Sequence, residues 1–197
     1  MFLITWIGAS GAGLLDYSMR RLITLALLAA GLAPLPGSTL LQLNLDDMIG
    51  KSTSIVLATV QPRSSAFRGA MIYTHYLVQV TTTYKGVAAT NWDVAVPGGV
   101  VNGVQQFFAG APALTAGQQY LLFLWTSKTG LTQVIGLSQG LFTVTKNASG
   151  QVMVSRGATS ETMLNSAGQV ITDSSIQMTL AQMSNRIQTV MAGGSPQ

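Results

Sequence analysis

Between residues 71 and 84 the chain alternates with a period of two. Ile72, Thr74, Tyr76, Val78, Val80, Thr82 and Tyr84 are β-branched or aromatic, whereas Met71, Tyr73, His75, Leu77, Gln79, Thr81 and Thr83 are mixed. A strand turns such sets to opposite faces, so the first is expected to face a core and the second to line a surface or shallow groove. Lys85-Gly86 closes this strand. The run SIVLATV (54–60) is apolar at every face, as for a strand buried inside a barrel or sandwich, and Pro62 is expected to end it. Trp92, Val94 and Val96 alternate with Asn91, Asp93 and Ala95 up to Pro97-Gly98-Gly99, a type II turn signal. Residues 104–108 are a candidate for the next pairing, 110–117 read as loop, and YLLFLW (120–125) is the most hydrophobic strand of the chain. Turn signals at 127–130, 136–140 and 147–150 then separate short strands at 132–135, 141–145 and 152–154.

Two segments break this rhythm. Leu40, Leu41, Leu43, Leu45, Met48 and Ile49 surround Asp46-Asp47 and precede Gly50, which predicts a short N-terminal helix with acids near its start. From Ile176 the apolar positions Leu180, Met183, Ile187 and Val190 or Met191 follow a helical period. An amphipathic C-terminal helix is expected there, capped by Asp173 or Ser174 and stopped by Gly193-Gly194. Short strands with turns between them predict a mainly β fold: a small closed or partly open β-barrel, OB-like, with a helix at each end. The barrel is assigned to 39–172 and the helix and tail to 173–197, with no internal repeat.

Residues 1–38 read as a separate N-terminal extension and signal peptide. Met19-Arg20-Arg21 is followed by an apolar stretch over 22–32, then Pro34, Pro36, Gly37 and Ser38, the order of a secretory signal. The stretch is about half of the roughly 20 residues that a membrane span requires. Met19 is expected to be the true start, with cleavage near Gly37 or Ser38. The rival is a hydrophobic hairpin or anchor made of 2–15 and 22–32. The working part is expected outside the cytoplasm, secreted or periplasmic, with membrane contact only through the signal segment.

The sequence from SIVLATV through MIYTHYLVQVTTTYKG and VAVPGG to AGQQYLLFLW resembles a group of uncharacterised exported bacterial proteins. Their pattern is a strand ending in Lys-Gly, a P-G-G turn, then G-x-x-Y before an apolar strand. More remotely, the long strand ending in Lys-Gly is similar to the netrin-like module of metalloproteinase inhibitors, an OB barrel. The resemblance covers residues 55–144 and implies a barrel. It carries over no inhibitory residue, because that module uses disulfides and an N-terminal Cys, and this chain has no Cys.

Composition narrows the chemistry. Only 8% of residues are Asp, Glu, Lys or Arg, against about 25% in an average soluble domain. Without Cys there is no disulfide framework, thiolate metal site, nucleophilic thiol or lipidated Cys. From Thr39 onward eight Lys and Arg stand against five Asp and Glu, scattered without a run of like sign. That spacing and the exported destination count against nucleic acid. Neither a dinucleotide-binding glycine motif nor a P-loop is present, and no cofactor is implied.

His75 is the only histidine, so any Ser–His–Asp arrangement or His metal site has to be built on it. Adjacent Asp46 and Asp47 do not face one another on a helix, and capping accounts for them. Asp93 with Glu161 or Asp173 is the conceivable carboxylate pair. Asn147-Ala148-Ser149 matches a glycosylation sequon at a turn. Among the aromatics, Tyr73, Trp92, Phe107, Phe108 and Trp125 are candidates for either a ligand surface or the core.

The leading expectation is an exported, non-enzymatic binding module for an extracytoplasmic protein or a surface polymer. Tyr73, His75, Leu77 and Trp92 are its candidate ligand residues. The alternative is a carboxylate-dependent hydrolase using Asp93 and Glu161. A fold that joined Arg63, Arg68, Lys85 and Lys128 in one basic groove would favour nucleic acid or an anionic polymer instead, and one with its largest apolar patch on the odd face of 71–83 would favour a protein partner.

Overall fold

The computed structural model describes residues 39–193. The signal segment, the start at Met19 and the cleavage zone at Gly37 and Ser38 lie outside the described residues. In chain order the elements are β1 (Thr39–Leu41), α1 (Leu45–Lys51), β2 (Ser54–Arg68), β3 (Met71–Lys85), β4 (Asn91–Pro97), β5 (Gly99–Val101) and β6 (Val104–Gln106). They continue with β7 (Gln119–Thr126), β8 (Thr132–Val134), a 3₁₀ turn (Leu137–Gly140), β9 (Leu141–Lys146), β10 (Val152–Arg156), β11 (Thr162–Leu164), β12 (Val170–Ile171), β13 (Ile176–Thr179) and α2 (Leu180–Met191). The fold is mainly β.

An eight-stranded sheet carries the architecture, with the order β13-β10-β9-β7-β2-β3-β4 and β8 added beside β9 on β7. The pairs along it are antiparallel. The sheet curls until β4 lies against β8, yet no hydrogen-bonded ladder joins those two strands, so it does not close into a barrel. A second sheet sets β1 parallel to β11, which pairs antiparallel with β12.

The two apolar runs in the sequence occupy the middle of the main sheet, where both faces are covered. Val56, Ala58 and Val60 of β2 join Tyr120, Leu122 and Leu124 of β7 in a core inside the curl, with Tyr76, Val78, Val94, Val96 and Val134. The intervening Ile55, Leu57, Leu121 and Phe123 point the other way. They pack with Phe142, Val154, Met48 and Ile49 of α1, and Met183 and Ile187 of α2. A strand buried on both faces needs apolar residues at every position, which is why SIVLATV and YLLFLW lack alternation. β3 alternates as its sequence does up to Val80, with Ile72, Thr74, Tyr76 and Val78 buried. Beyond the register shift opposite Leu57 and Ala58, Thr82 is exposed and Tyr84 packs on the helix-side core.

The helices are shorter than the apolar spacing implies. Thr39–Leu41 is a strand, and α1 begins after Asn44, whose side chain accepts from the Asp47 N–H. Lys85 donates to the carbonyls of Ile49 and Gly50 at the other end of that helix, at 2.6 and 2.9 Å. Burial holds its ammonium below the ordinary lysine range. Neither Asp173 nor Ser174 caps α2. Residues 176–179 form β13, and Thr179 and Gln182 make the capping box. The Met178 and Leu180 side chains pack on the same core as the helix, so the apolar spacing runs across the strand–helix junction without marking it.

Candidate functional site

β2 changes its neighbours part-way along. Up to Thr59 it lies between β3 and β7, and Val60 makes the last ties on the β7 side, to Gln118 and Gly117. From there only β3 remains, and the two strands run on as an arm to the turn at Gly69. Pro62 therefore does not end β2, contrary to expectation. Val60 stands opposite Val78 while Arg63 stands opposite Tyr76, so the segment holds one extra residue, a β-bulge containing Gln61 and Pro62. A bulge leaves a residue without a ladder partner, which suits a residue that has no N–H to donate. It also moves the inward face of β2 from even to odd positions. Arg63, Ser65 and Phe67 consequently share a face with Tyr76, Thr74 and Ile72.

This face is polar where the core gives out. The Arg63 guanidinium donates through Nη1 to the Tyr76 hydroxyl at 3.1 Å, and the Ser65 and Thr74 hydroxyls are 3.0 Å apart. Thr74 Oγ1 also donates to the Gly98 carbonyl at 2.8 Å. Gln106 fastens the β5–β6 hairpin to the arm, accepting from the Ile72 N–H at 2.7 Å and donating to the Ala70 carbonyl at 2.9 Å. At Gly99 a Cβ would lie 2.5 Å from Thr74 Oγ1, and φ is +139°, so only glycine permits this approach.

The arm, the hairpin and the loop before β7 frame one end of the curled sheet. A cavity of about 550 Å³ there is lined by residues 61–63, Tyr76 and 114–116. A second, of about 290 Å³, is lined by Arg63, Tyr76, Thr74, Phe108 and Pro112 among others. The two share Arg63 and Tyr76, and the volume of the larger lies in the range of small-ligand sites. Phe107 beside them is 85% exposed, and Phe67, Val100 and Val104 are also exposed. Arg63 makes no ion pair among the described residues, whereas Lys51, Arg156 and Arg186 each hold an aspartate. Its bond to Tyr76 raises its pKa, so it stays charged.

The residues selected from the sequence lie elsewhere and divide between two faces. Tyr73, His75 and Leu77 stand on the outer face of β3, opposite Pro97, Ala95 and Asp93. Leu77 is 47% exposed. Trp92 points inward and packs against the core, with its indole N–H buried and unpartnered. His75 and Trp92 both line a cavity of about 330 Å³ at the seam between β4 and β8, together with Asp93, Arg68 and Thr132. Tyr73 and Leu77 do not line it.

His75 Nδ1 lies 3.0 Å from both carboxylate oxygens of Asp93. This is two-thirds of a nucleophilic triad, but the Asp93 side chain is 62% exposed rather than buried behind the ring. Glu161 does not join Asp93; it adjoins Gly110 in the loop before β7. Asp173 is committed to Arg156, and Asp46 to Arg186. Among the described residues no three His, Asp or Glu are grouped to hold a metal ion. The four cations considered for a groove are also dispersed: Lys85 serves α1, Arg63 stands at the open end, and Arg68 bonds Thr129 beside Lys128.

Arg63 was the residue hidden from the alternation pattern, because an even-position count places it on the outer face. The signal available was Pro62 within an otherwise continuous strand pattern. No family model matches the chain, and neither a curated protein nor a solved structure matches it.

Proposed function

We propose that this protein is an exported, non-enzymatic binding module whose ligand enters the open end of the curled sheet beside Arg63 and Tyr76. The observation that carries the reading is the pair of adjoining cavities that share these two side chains. Polar groups converge there on a space left open by the core, with exposed apolar side chains at its rim. The acids lend support to binding over hydrolysis: Asp46, Asp47, Asp93 and Asp173 each face a cation or His75, and Glu161 lies beside Gly110. The partner class is an extracytoplasmic protein or a surface polymer, part of which reaches the cavities.

The architecture behind this reading is a partly open OB-like barrel. Around the curl the strands run β2-β3-β4-β8-β7 and back to β2, with the β4–β8 seam unladdered. Five strands that curl in this order have the arrangement of an OB barrel opened at one seam.

One observation favours hydrolysis as a second reading, resting on Asp93 with His75 and not with Glu161, namely the His75–Asp93 contact beside Thr132 in the seam cavity. A single experiment separates the two. Amide chemical shifts of the purified full chain are followed during titration with small neutral and charged aromatic compounds and with simple esters. Binding at the open end is expected to move Arg63, Tyr76, Ala111 and residues 113–115. Shifts confined to Tyr73, His75 and Leu77 would overturn the location. Ester turnover abolished by Asp93→Asn would replace binding with hydrolysis.

A further inference from the structure

We infer that Arg63 is an anion subsite, and that the ligand of the open end carries a carboxylate or a phosphate monoester on an apolar body. The inference rests on the binding reading above and adds the chemistry of the ligand. Its first support is placement. The bulge at Gln61 and Pro62 sets Arg63 on the same face as Tyr76, at the open end, although continuous alternation would have put it on the opposite face of β2. Its second support is the state of the guanidinium. One nitrogen, Nη1, is anchored to the Tyr76 hydroxyl, which fixes the group at the boundary of the two cavities. Asp46, Asp47, Asp93 and Asp173 pair elsewhere and not with it.

The remaining donors of a guanidinium form a planar fork suited to two oxygens of one oxyacid, and such charge-assisted bonds are stronger than neutral ones. A hydroxyl or amide ligand offers that fork a single uncharged oxygen in place of two that share a negative charge. The apolar half of the ligand follows from the lining. Pro62, Leu114 and Ala116 stand beside Arg63 in the larger cavity, and Phe108, Ala111 and Pro112 in the smaller. A ligand that placed its anionic group on Arg63 would have its body against these side chains.

Benzyl alcohol, phenylacetate, phenyl phosphate and inorganic phosphate serve as probes, titrated into the full chain and read at the amides of Arg63, Tyr76, Ala111 and residues 113–115. Phenylacetate or phenyl phosphate is expected to bind at least about tenfold more tightly than benzyl alcohol. Arg63→Met should remove that preference, and added salt should weaken the anion alone. Comparing the two anions distinguishes a carboxylate from a phosphate ligand. Arg63→Lys should retain part of the preference, since the charge remains without the fork. Arg63 is exposed, and unchanged amide shifts in β7 and α2 will establish that each variant is folded.

Equal binding of benzyl alcohol and both anions at these residues would overturn the anion subsite while leaving the open end as a binding site. Tighter binding of inorganic phosphate than of phenyl phosphate would overturn the apolar half. Absence of any shift at these residues would overturn both the subsite and the reading on which it rests.

Discussion

Asp173→Asn is expected to destabilise the fold by about 3–5 kcal/mol, the cost of stranding one member of a buried ion pair. The Arg156 and Asp173 side chains are only 6% and 1% exposed and meet through two bonds of 2.9 and 3.1 Å. The Thr159 N–H adds a third bond to the carboxylate, and Arg156 also donates to the Ser174 carbonyl. Removing the negative charge leaves the guanidinium buried, with its Nε already unpartnered. Replacing both residues, with Arg156→Met and Asp173→Leu, should cost far less than Asp173→Asn alone, because no charge is then left behind. Chemical denaturation of the three variants measures the difference.

The same pair predicts an acid limit. Burial by itself pushes the Asp173 carboxyl up, but the bonds from Arg156 and the Thr159 N–H outweigh it and hold the carboxyl below the ordinary aspartate range. A carboxyl with a depressed folded-state pKa contributes stability that is complete above its unfolded value and is lost as pH falls through the folded value. Stability should therefore fall below about pH 4, and the Arg156→Met/Asp173→Leu variant should lose less of it over that interval.

Phe123→Ala is the second large effect, at about 3–5 kcal/mol for a fully buried aromatic. Phe123 lies on the helix-facing side of β7, with its ring centroid 5.3 Å from that of Phe142 and the planes tilted by 43°. Trp125, two residues on, is 44% exposed, and Trp125→Ala should cost less than about 1 kcal/mol. Thermal or denaturant unfolding of the two variants tests whether both faces of β7 are covered where the helices lie and uncovered beyond them. A large loss from Trp125→Ala would place the edge of the core wrongly.

These two residues also mark what the sequence made legible. A run such as YLLFLW, apolar at every position, announces a strand covered twice, and the regular alternation of β3 announces its inward face. Arg156 and Asp173 gave no comparable signal, because the residues are 17 positions apart and the turns that join them contain ordinary polar residues. The three-stranded sheet of β1, β11 and β12 was likewise missed. Its strands are two or three residues long, and its first pair links Thr39 to Thr162, a distance over which periodicity carries no information. At the open end the difficulty was different. A single bulge exchanges even for odd positions, so the pattern read correctly before Val60 gives the wrong face for Arg63 after it. The outer-face residues Tyr73, His75 and Leu77 were legible as a face, and His75 lines the seam cavity, but the two adjoining cavities that share Arg63 and Tyr76 formed where the arm, the hairpin and the loop meet.

Blocking the open end beside Arg63 tests whether ligands enter there. Because the chain has no Cys, a thiol introduced at Ala113, which is exposed and lines the smaller cavity, can be capped alone with a bulky maleimide. A second variant, Leu77→Cys, carries the same adduct on the outer face of β3. The direct measurement is phenylacetate binding to each capped protein by amide shift titration. The adduct at position 113 is expected to weaken binding by at least about tenfold, while the adduct at position 77 leaves it unchanged. Unchanged binding at position 113, with loss at position 77, would contradict entry at the open end.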